Sequence, residues 1–193
     1  MTGSSLLPVA LHHNKLYFLF GKENLLEDSA KGYSDFGGSI ETGENRVETA
    51  YREGSEEMSG FLGNANQLKQ SVKKNGGLLH LPFDNYHVHV YCMEYDQKLP
   101  KYFTNQHRFL WKRMSPQFLN KSKLFEKQEI QWFSVQDLKT RRSEFRSFYR
   151  NIVDGILKQV PQIKSFCLKH SKRSTCCIHR TKMNSKTRKI RGG

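Results

Sequence analysis

The chain lacks the features that mark secreted, membrane-spanning and disulfide-stabilised proteins. No apolar run approaches the roughly 18 residues of a membrane-spanning helix. Residues 1–15 have neither the basic start nor the long apolar segment of a secretory signal. The four cysteines include an adjacent pair, and their spacing forms no disulfide framework. We therefore expect no membrane association and a reducing, cytoplasmic location.

Acidic residues are missing from the C-terminal segment. Residues 161–193 contain ten Lys or Arg and no Asp or Glu, whereas residues 1–160 contain 22 basic and 18 acidic residues. The segment therefore supplies +10 of the net charge of +14. Blocks of like charge are usually solvated and disordered, but they also serve as arms that bind nucleic acid or polyphosphate. The sequence predicts a domain over residues 1–160 and a basic, flexible tail over residues 161–193.

Three glutamates form a cluster inside this basic protein. Glu53, Glu56 and Glu57 are spaced i, i+3 and i+4, which places three carboxylates on one face of a helix. Each close pair repels by roughly several tenths of a kcal/mol, so the spacing favours a bound divalent cation. Oxygen-only ligands indicate Mg²⁺ or Mn²⁺ rather than zinc or copper. The alternative is an ordinary solvated, acidic helix face.

The cluster belongs to a longer frame, G-x5-E-x7-R-E-x2-E-E, formed by Gly38, Glu44, Arg52, Glu53, Glu56 and Glu57. This frame resembles the signature of the Nudix hydrolases, and every charged position of that signature is present. Two positions differ from it. Gly54 replaces an aliphatic residue, and Ser59-Gly60 stand where glycine and an aliphatic residue are expected. We expect Gly54 to cost about 1 kcal/mol of helix propensity relative to alanine and to leave a small gap beneath the helix.

The resemblance implies an α/β fold, an α/β/α sandwich around a mixed β-sheet, where the sequence pattern alone predicts only α+β or α/β. It implies hydrolysis of a nucleoside diphosphate linked to another moiety, by attack of water on a phosphorus of the pyrophosphate. The implied ligands of the Mg²⁺ or Mn²⁺ cofactor are Gly37 (through its carbonyl), Glu53, Glu56 and Glu57. The residues implied to shape the motif are Gly38, Glu44 and Arg52, with Arg52 paired to an acid such as Glu44.

A general base outside the frame is also implied by the resemblance, on a strand that carries an acid a few residues before a tryptophan. In the segment FEKQEIQWFSVQDL, Glu126 lies six residues before Trp132. Several relatives share this spacing, including mRNA-decapping enzymes. Glu129 is the competing candidate, and Glu56 is a candidate within the frame.

Three functions remain open at the level of sequence. The first is mRNA decapping, in which the basic tail holds RNA and an aromatic side chain stacks a base; the candidates are Phe36, Tyr86, Phe103 and Trp111. The general layout is similar to decapping enzymes of large DNA viruses. The second is hydrolysis of diphosphoinositol polyphosphates or dinucleoside polyphosphates, which a basic surface equally attracts. The third is a non-catalytic RNA-binding module, against which the complete glutamate set argues.

Two patterns near the C-terminus complete the sequence analysis. A helical face from about Arg142 to Val160 is traced by Phe145, Phe148, Ile152 and Ile156. Two pairs with the spacing of zinc ligands follow, although five residues between the pairs is short for a finger; they are Cys167-x2-His170 and Cys176-x2-His179.

Overall fold

A computed structural model of the protein describes residues 2–24, 31–115, 117–118 and 125–183, with side chains up to residue 169. Within these ranges the strands are β1 Gly3–His12, β2 Lys15–Glu23, β3 Tyr33–Ser34, β4 Phe36–Ser39, β5 Leu79–Phe83, β6 Tyr86–Met93 and β7 Lys127–Ser134. The helices are α1 Arg46–Glu57, α2 Ala65–Lys74, α3 Leu99–Trp111, α4 Val135–Thr140 and α5 Tyr149–Met183. A 3₁₀ turn, Arg142–Glu144, precedes α5.

The described strands form one mixed sheet that divides at β1. The order is β3-β2-β1-β6-β5, with β4 pairing to β1 and β7 to β2. Only β1 and β6 run parallel among these pairs. The first half of β1 pairs with β4 (Leu6↔Phe36), and its second half pairs with β2 (Val9↔Phe18). Because β1 changes partner here, β4 and its two glycines lie at the division of the sheet.

Both faces of the sheet are covered by helices. Along β1, Leu7 and Val9 belong to the hydrophobic cluster that α4 and α5 complete. The alternating neighbours Leu6 and Ala10 belong to clusters on the opposite face, formed with α1, α2 and α3. This alternation is the period of two that a buried strand requires. The predicted α/β/α sandwich around a mixed sheet is thus confirmed.

The start of helix α1 is fixed by its local sequence. The Asn45 side chain accepts hydrogen bonds from the backbone N–H groups of Val47 and Glu48, at 3.0 and 3.1 Å. The Glu48 carboxylate accepts in return from the Asn45 N–H at 2.9 Å, which completes a capping box. Past the last turn, Ser59 and Gly60 both adopt positive φ values, 49° and 74°. They end the helix and turn the chain toward α2.

The expected gap beneath Gly54 is wrong. A β-carbon at this position would lie 2.8 Å from Leu6 Cδ2 and 3.1 Å from Leu6 Cβ, so α1 already rests closely on β1. The missing side chain lets the helix approach the sheet. That approach positions the acidic face of α1 beside β4.

The predicted C-terminal helix starts later than expected. Phe145 is buried but has extended backbone, and α5 begins at Tyr149. Phe148 is not buried as predicted: it is 49% exposed, and its ring contacts Tyr86 at 6.1 Å between centroids. Ile152 and Ile156 are buried as predicted.

Helix α5 continues past Pro161 to Met183. Ile163 and Cys167 are buried against the core, so the packed part of the chain extends beyond residue 160. The side chains of residues 170–183 and the whole of residues 184–193 lie outside the described part. The flexible tail therefore stays a prediction for those residues. None of the described helices, including the 35-residue α5, has the length and apolar content needed to span a bilayer.

A disulfide joins Cys92 of β6 to Cys167 of α5. It ties the end of the packed part of α5 to the sheet across 75 residues of sequence. The cysteine spacing gave no indication of this bond, because the two residues meet only through the fold. Because of this bond, the cysteine content no longer supports a reducing compartment. The location of the protein stays a prediction.

The close approach at Gly54 predicts the sign of a stability change. Helix propensity alone would make Gly54→Ala stabilising by about 1 kcal/mol. Because the new methyl overlaps Leu6, we expect a net loss of about 1 kcal/mol, since overpacking costs roughly 1–3 kcal/mol. The measurement is urea unfolding of Gly54→Ala, alone and combined with Leu6→Val. In the Leu6→Val background the alanine should be less harmful; a stabilising Gly54→Ala in the native background would contradict the packing described here.

Candidate active site

Arg52 lies at the centre of the acidic face of α1. Its guanidinium donates to both carboxylate oxygens of Glu44, from Nε at 2.7 Å and from Nη2 at 3.0 Å. Its Nη1 donates to Glu53 at 2.8 Å and to Glu56 at 3.4 Å. Nη2 also reaches the Ser39 carbonyl of β4, at 3.2 Å. The predicted pairing of Arg52 with Glu44 is confirmed, and one guanidinium orients two of the predicted metal ligands.

This pair stays ionised over a wide pH range. The Arg52 hydrogen bonds lower the pKa of Glu44 to about 2, and the Thr49 hydroxyl, which donates to the same carboxylate at 2.8 Å, assists. Glu44 in turn raises the pKa of Arg52 above its already high ordinary value. The orientation of the acidic face is therefore insensitive to pH near neutrality.

Glu57 is the buried member of the cluster. Its side chain is 5% exposed; Oε2 accepts from the Gly37 N–H at 2.7 Å, and Oε1 lies 3.2 Å from the Lys127 Nζ. Burial raises the pKa of Glu57 well above its ordinary value. Lys127 opposes this shift, while the charges of Glu23 and Glu126 add to it. Burial and the neighbouring acids thus outweigh Lys127 in their effect on the pKa of Glu57.

Lys127, at the start of β7, is a candidate that the sequence analysis missed. Its ammonium is fully buried, contacts Glu23, and donates to the Ser34 hydroxyl at 2.8 Å. Burial by itself would lower the pKa of Lys127, but Glu57 and Glu23 outweigh this effect and raise it. Lys127 is therefore a cation held inside the domain.

Strand alternation gave no signal for Lys127. The pairing of β2 with β7 shifts in register between Lys22, which pairs with Glu129, and Glu23, which pairs with Lys127. Lys127 therefore does not continue the side of β7 that carries Glu129 and Phe133, and only the fold shows its acidic partners. Arg146 was missed as well; its Nη1 lies 2.8 Å from Glu23, a contact between residues 123 positions apart.

Two glycines bring β4 against the acidic cluster. A side chain at Gly38 would overlap the Glu53 carboxylate, and one at Gly37 would overlap Ser5 of β1. The Gly37 N–H is thereby free to approach Glu57. Both predicted glycines lie beside the glutamates, and the ligand role of the Gly37 carbonyl stays a prediction.

The two candidate bases outside the frame have different surroundings. Glu126 is exposed and lies close enough to Glu57 for its charge to raise the pKa of Glu57. Its backbone is fixed to Asn24, whose N–H donates to the Glu126 carbonyl at 2.8 Å. Glu129 instead accepts from the Tyr33 hydroxyl at 2.6 Å and pairs with Lys22 at 3.5 Å. The geometry therefore brings Glu126, rather than Glu129, to the acidic cluster.

The carboxylates do not form a preformed metal cage. Within the described residues, no three His, Cys, Asp or Glu side chains are grouped so that they could hold an ion, and Glu53 and Glu57 face Arg52 and Lys127 instead. The chemistry of the donor set nevertheless fits a hard cation. Among the described residues, the cations Arg52, Lys127 and Arg146 contact Glu23, Glu41, Glu44, Glu53, Glu56 and Glu57. A divalent cation would add positive charge to this acidic cluster.

A cleft of about 680 Å³ opens beside the glycine pair. Its lining includes Gly37, Gly38, Arg146 and Phe148. The Arg146 guanidinium lies 5.0 Å from the Phe148 ring centroid, and this ring remains half-exposed. The cleft thus offers a cation and an aromatic surface next to the acidic cluster.

Asp35 lies beneath this cleft and was also missed. It is buried, and it accepts hydrogen bonds from the Ser5 hydroxyl and, at 2.7 Å, from the Tyr86 hydroxyl. Burial raises the pKa of Asp35 to about 6, although these hydrogen bonds oppose the shift. Tyr86 lines the cleft, so Asp35 positions a residue of the cleft wall through this hydrogen bond.

Several other predicted residues are not brought to the site. Among the proposed stacking residues, Phe36 and Phe103 are buried in the core, and Trp111 packs against Phe125, 6.2 Å between ring centroids. For the zinc hypothesis, Cys167 is bonded to Cys92. The remaining predicted ligands lie outside the described side chains; they are His170, Cys176 and His179.

Comparison with known proteins gives distant structural matches alone. No protein-family model and no curated protein sequence matches the chain. A C. elegans Ap4A hydrolase in a binary complex shares 12% identity over 83% of this chain and 98% of that chain, with a TM-score of 0.45. The NUDIX domain of Shewanella oneidensis NrtR complexed with ADP ribose shares 10% over 83% and 88%, with a TM-score of 0.49. A NUDIX hydrolase from Nitrosomonas europaea shares 14% over 79% and 86%, with a TM-score of 0.37. Similarities this distant assign neither a family nor a substrate.

The buried lysine predicts a strong energetic coupling. Lys127→Met leaves Glu57 without its buried cation, while Glu23 keeps Arg146, and we expect the free energy of unfolding to fall by roughly 3–5 kcal/mol. Adding Glu57→Gln removes the stranded charge, so the double variant should lose clearly less than the sum of the single losses. Urea unfolding of the native protein, the single variants Lys127→Met and Glu57→Gln, and the double variant measures the coupling energy between the two residues. Additive losses would mean that Lys127 stabilises through packing of its stem and not through its charge.

Proposed function

We propose that this protein is a divalent-cation-dependent hydrolase of the Nudix type, which cleaves a pyrophosphate bond in a substrate built on a nucleoside diphosphate. The observation that carries the proposal is the convergence of the whole charged frame on one place. Arg52 binds Glu44, Glu53 and Glu56 on the acidic face of α1, and Glu57 meets the glycine pair beside the cleft. A solvated acidic helix face would not bury Glu57.

Each residue of the frame has a distinct role in this proposal. Glu53, Glu56, Glu57 and the Gly37 carbonyl hold a Mg²⁺ or Mn²⁺ ion, and Arg52 keeps the carboxylates in place. When bound, the cation would withdraw charge from the pyrophosphate oxygens and acidify a water molecule. Lys127 limits the repulsion between Glu57 and Glu23 before the substrate arrives.

The cleft supplies the contacts to the substrate. Arg146 lines it and donates to phosphate oxygens, where a guanidinium forms strong paired hydrogen bonds. The exposed ring of Phe148 stacks a base, with Tyr86 on the adjoining wall. Glu126 accepts the proton of the attacking water, because it is an exposed carboxylate whose charge lies close enough to Glu57 to raise the pKa of Glu57.

Capped RNA is the substrate that the chain fits best. The C-terminal segment of residues 161–193 carries ten positive charges and no acids, a composition suited to an RNA backbone. Release of a 7-methyl nucleoside diphosphate from such an RNA is the same pyrophosphate cleavage. Diphosphoinositol polyphosphates and dinucleoside polyphosphates are the competing substrates, and a non-catalytic RNA-binding module is the competing function.

A product assay on the three substrate classes tests the proposal. Capped RNA, dinucleoside polyphosphates and inositol pyrophosphates are incubated side by side with Mg²⁺ or Mn²⁺. We expect release of the cap nucleotide to be fastest, and to fall by orders of magnitude in Glu53→Gln and Glu57→Gln. Far-ultraviolet circular dichroism of each variant controls for folding, because Glu57 is buried. Cleavage of another class would replace the substrate; near-native turnover in both variants would contradict the metal site.

The base assignment has its own pair of matched variants. Loss of a general base typically costs about 10²- to 10⁴-fold in turnover, and we expect this loss for Glu126→Gln. Glu129→Gln removes an equal charge three residues away, from a carboxylate bound to Tyr33 and Lys22, and should leave turnover within a few-fold of the native value. Steady-state rates over a pH series compare them. A larger loss in Glu129→Gln would reverse the assignment.

A further inference from the structure

Helix α3 presents an outer surface that the catalytic proposal does not use. At 100° per residue, Lys101, Arg108 and Lys112 form one stripe along the helix, and Tyr102 and Phe109 form the stripe beside it. All five side chains are exposed, and the two aromatic residues are each 55% exposed. This set of five residues is called the α3 face below.

The buried side of α3 explains why this face remains on the surface. Phe103 is buried in the cluster formed with β7, and its ring lies 5.3 Å from that of Phe61. His107 and Trp111 stack on each other at 5.2 Å and both contact Phe125. The helix therefore packs on the domain through this buried side, and Tyr102 and Phe109 belong to none of the hydrophobic clusters of the described residues.

The charge of this region points to one kind of occupant. Residues 97–115 contain Lys98, Lys101, Arg108, Lys112 and Arg113, and no Asp or Glu. Arg113 lies over the Phe109 ring, with its guanidinium carbon 3.8 Å from the centroid. A basic surface that carries exposed aromatic rings and stacked arginine is the combination that binds single-stranded nucleic acid. An acidic protein would complement the lysines but gives no reason for exposed rings interleaved with them.

The helix that carries the α3 face packs on the segment that carries the candidate base. On the buried side of α3, His107 and Trp111 contact Phe125, which immediately precedes Glu126. The α3 face lies on the outer side of the same helix. Tyr102 and Phe109 are seven positions apart, a rise of roughly 10 Å along the helix, which leaves room for bases to stack on each ring.

We propose that the α3 face binds the single-stranded RNA chain that follows the cleaved pyrophosphate, with bases stacked on Tyr102 and Phe109 and phosphates held by Lys101, Arg108 and Lys112. This inference rests on the proposed function for its substrate. It adds a binding surface distinct from both the cleft and the C-terminal tail.

Fluorescence anisotropy with a labelled, uncapped single-stranded RNA tests the surface without turnover. In the full chain, Tyr102→Ala with Phe109→Ala should weaken binding about tenfold or more. Tyr102→Phe with Phe109→Tyr keeps the rings and should restore affinity. Lys101→Gln with Lys112→Gln should weaken binding and make the slope of log affinity against log salt shallower by about 0.7 for each lost phosphate contact.

Matched controls separate the α3 face from general positive charge. Lys69→Gln with Lys73→Gln removes two exposed lysines from α2 and should leave affinity and salt slope nearly unchanged. The α3 variants should show the same fold-loss in a chain lacking residues 171–193. Duplex RNA, whose bases are not free to stack, should be insensitive to the aromatic variants.

Three results would overturn the inference: native affinity in the double alanine variant, an equal loss in the α2 control, or an equal aromatic effect on duplex RNA. The proposed hydrolysis and the proposed RNA surface can fail independently of each other. A chain that binds RNA through α3 but cleaves none of the three substrate classes contradicts the proposed function and not the surface.

Discussion

The buried contact between the Glu57 carboxylate and the Lys127 ammonium is the interaction on which the site depends. It joins the last turn of α1 to the first residue of β7, and the Gly37 N–H adds β4 to the same point. Charges taken out of water are costly unless they are paired and hydrogen-bonded. Each group at this point therefore restricts the others to one arrangement. The acidic face of α1, the glycine pair and the strand next to Glu126 are fixed relative to one another by this requirement.

Local features of the site could be predicted because they depend on neighbouring residues. The Asn45 cap, the orientation of Glu53, Glu56 and Glu57, and the pairing of Arg52 with Glu44 all follow from spacings of eight residues or fewer. The α/β/α sandwich was predictable from the resemblance to the Nudix signature. In the structure, side chains along β1 alternate between the two helical layers of this sandwich. The metal ligands and the general base remain predictions.

Contacts between distant parts of the chain could not be predicted in the same way. Lys127 and Glu57 are seventy positions apart, and Cys92 and Cys167 are 75 apart. Helical periodicity placed Phe148 in the core, yet the helix begins one residue after it and its ring faces the cleft instead. At Gly54, propensity describes an isolated helix and takes no account of Leu6 beneath it. In each case the deciding neighbour comes from another element.

The distribution of charge gives the molecule two contrasting regions. Carboxylates gather around α1, where Glu44, Glu53, Glu56 and Glu57 lie together; α3 and the C-terminal segment carry basic residues without acids. Mn²⁺ binding measured by electron paramagnetic resonance tests, without a substrate, whether the carboxylates of α1 hold a cation. Native protein should bind Mn²⁺, Glu57→Gln and Glu53→Gln should bind it much more weakly, and Glu129→Gln should bind it normally. Equal Mn²⁺ affinity in the native protein, Glu53→Gln and Glu57→Gln would contradict the account.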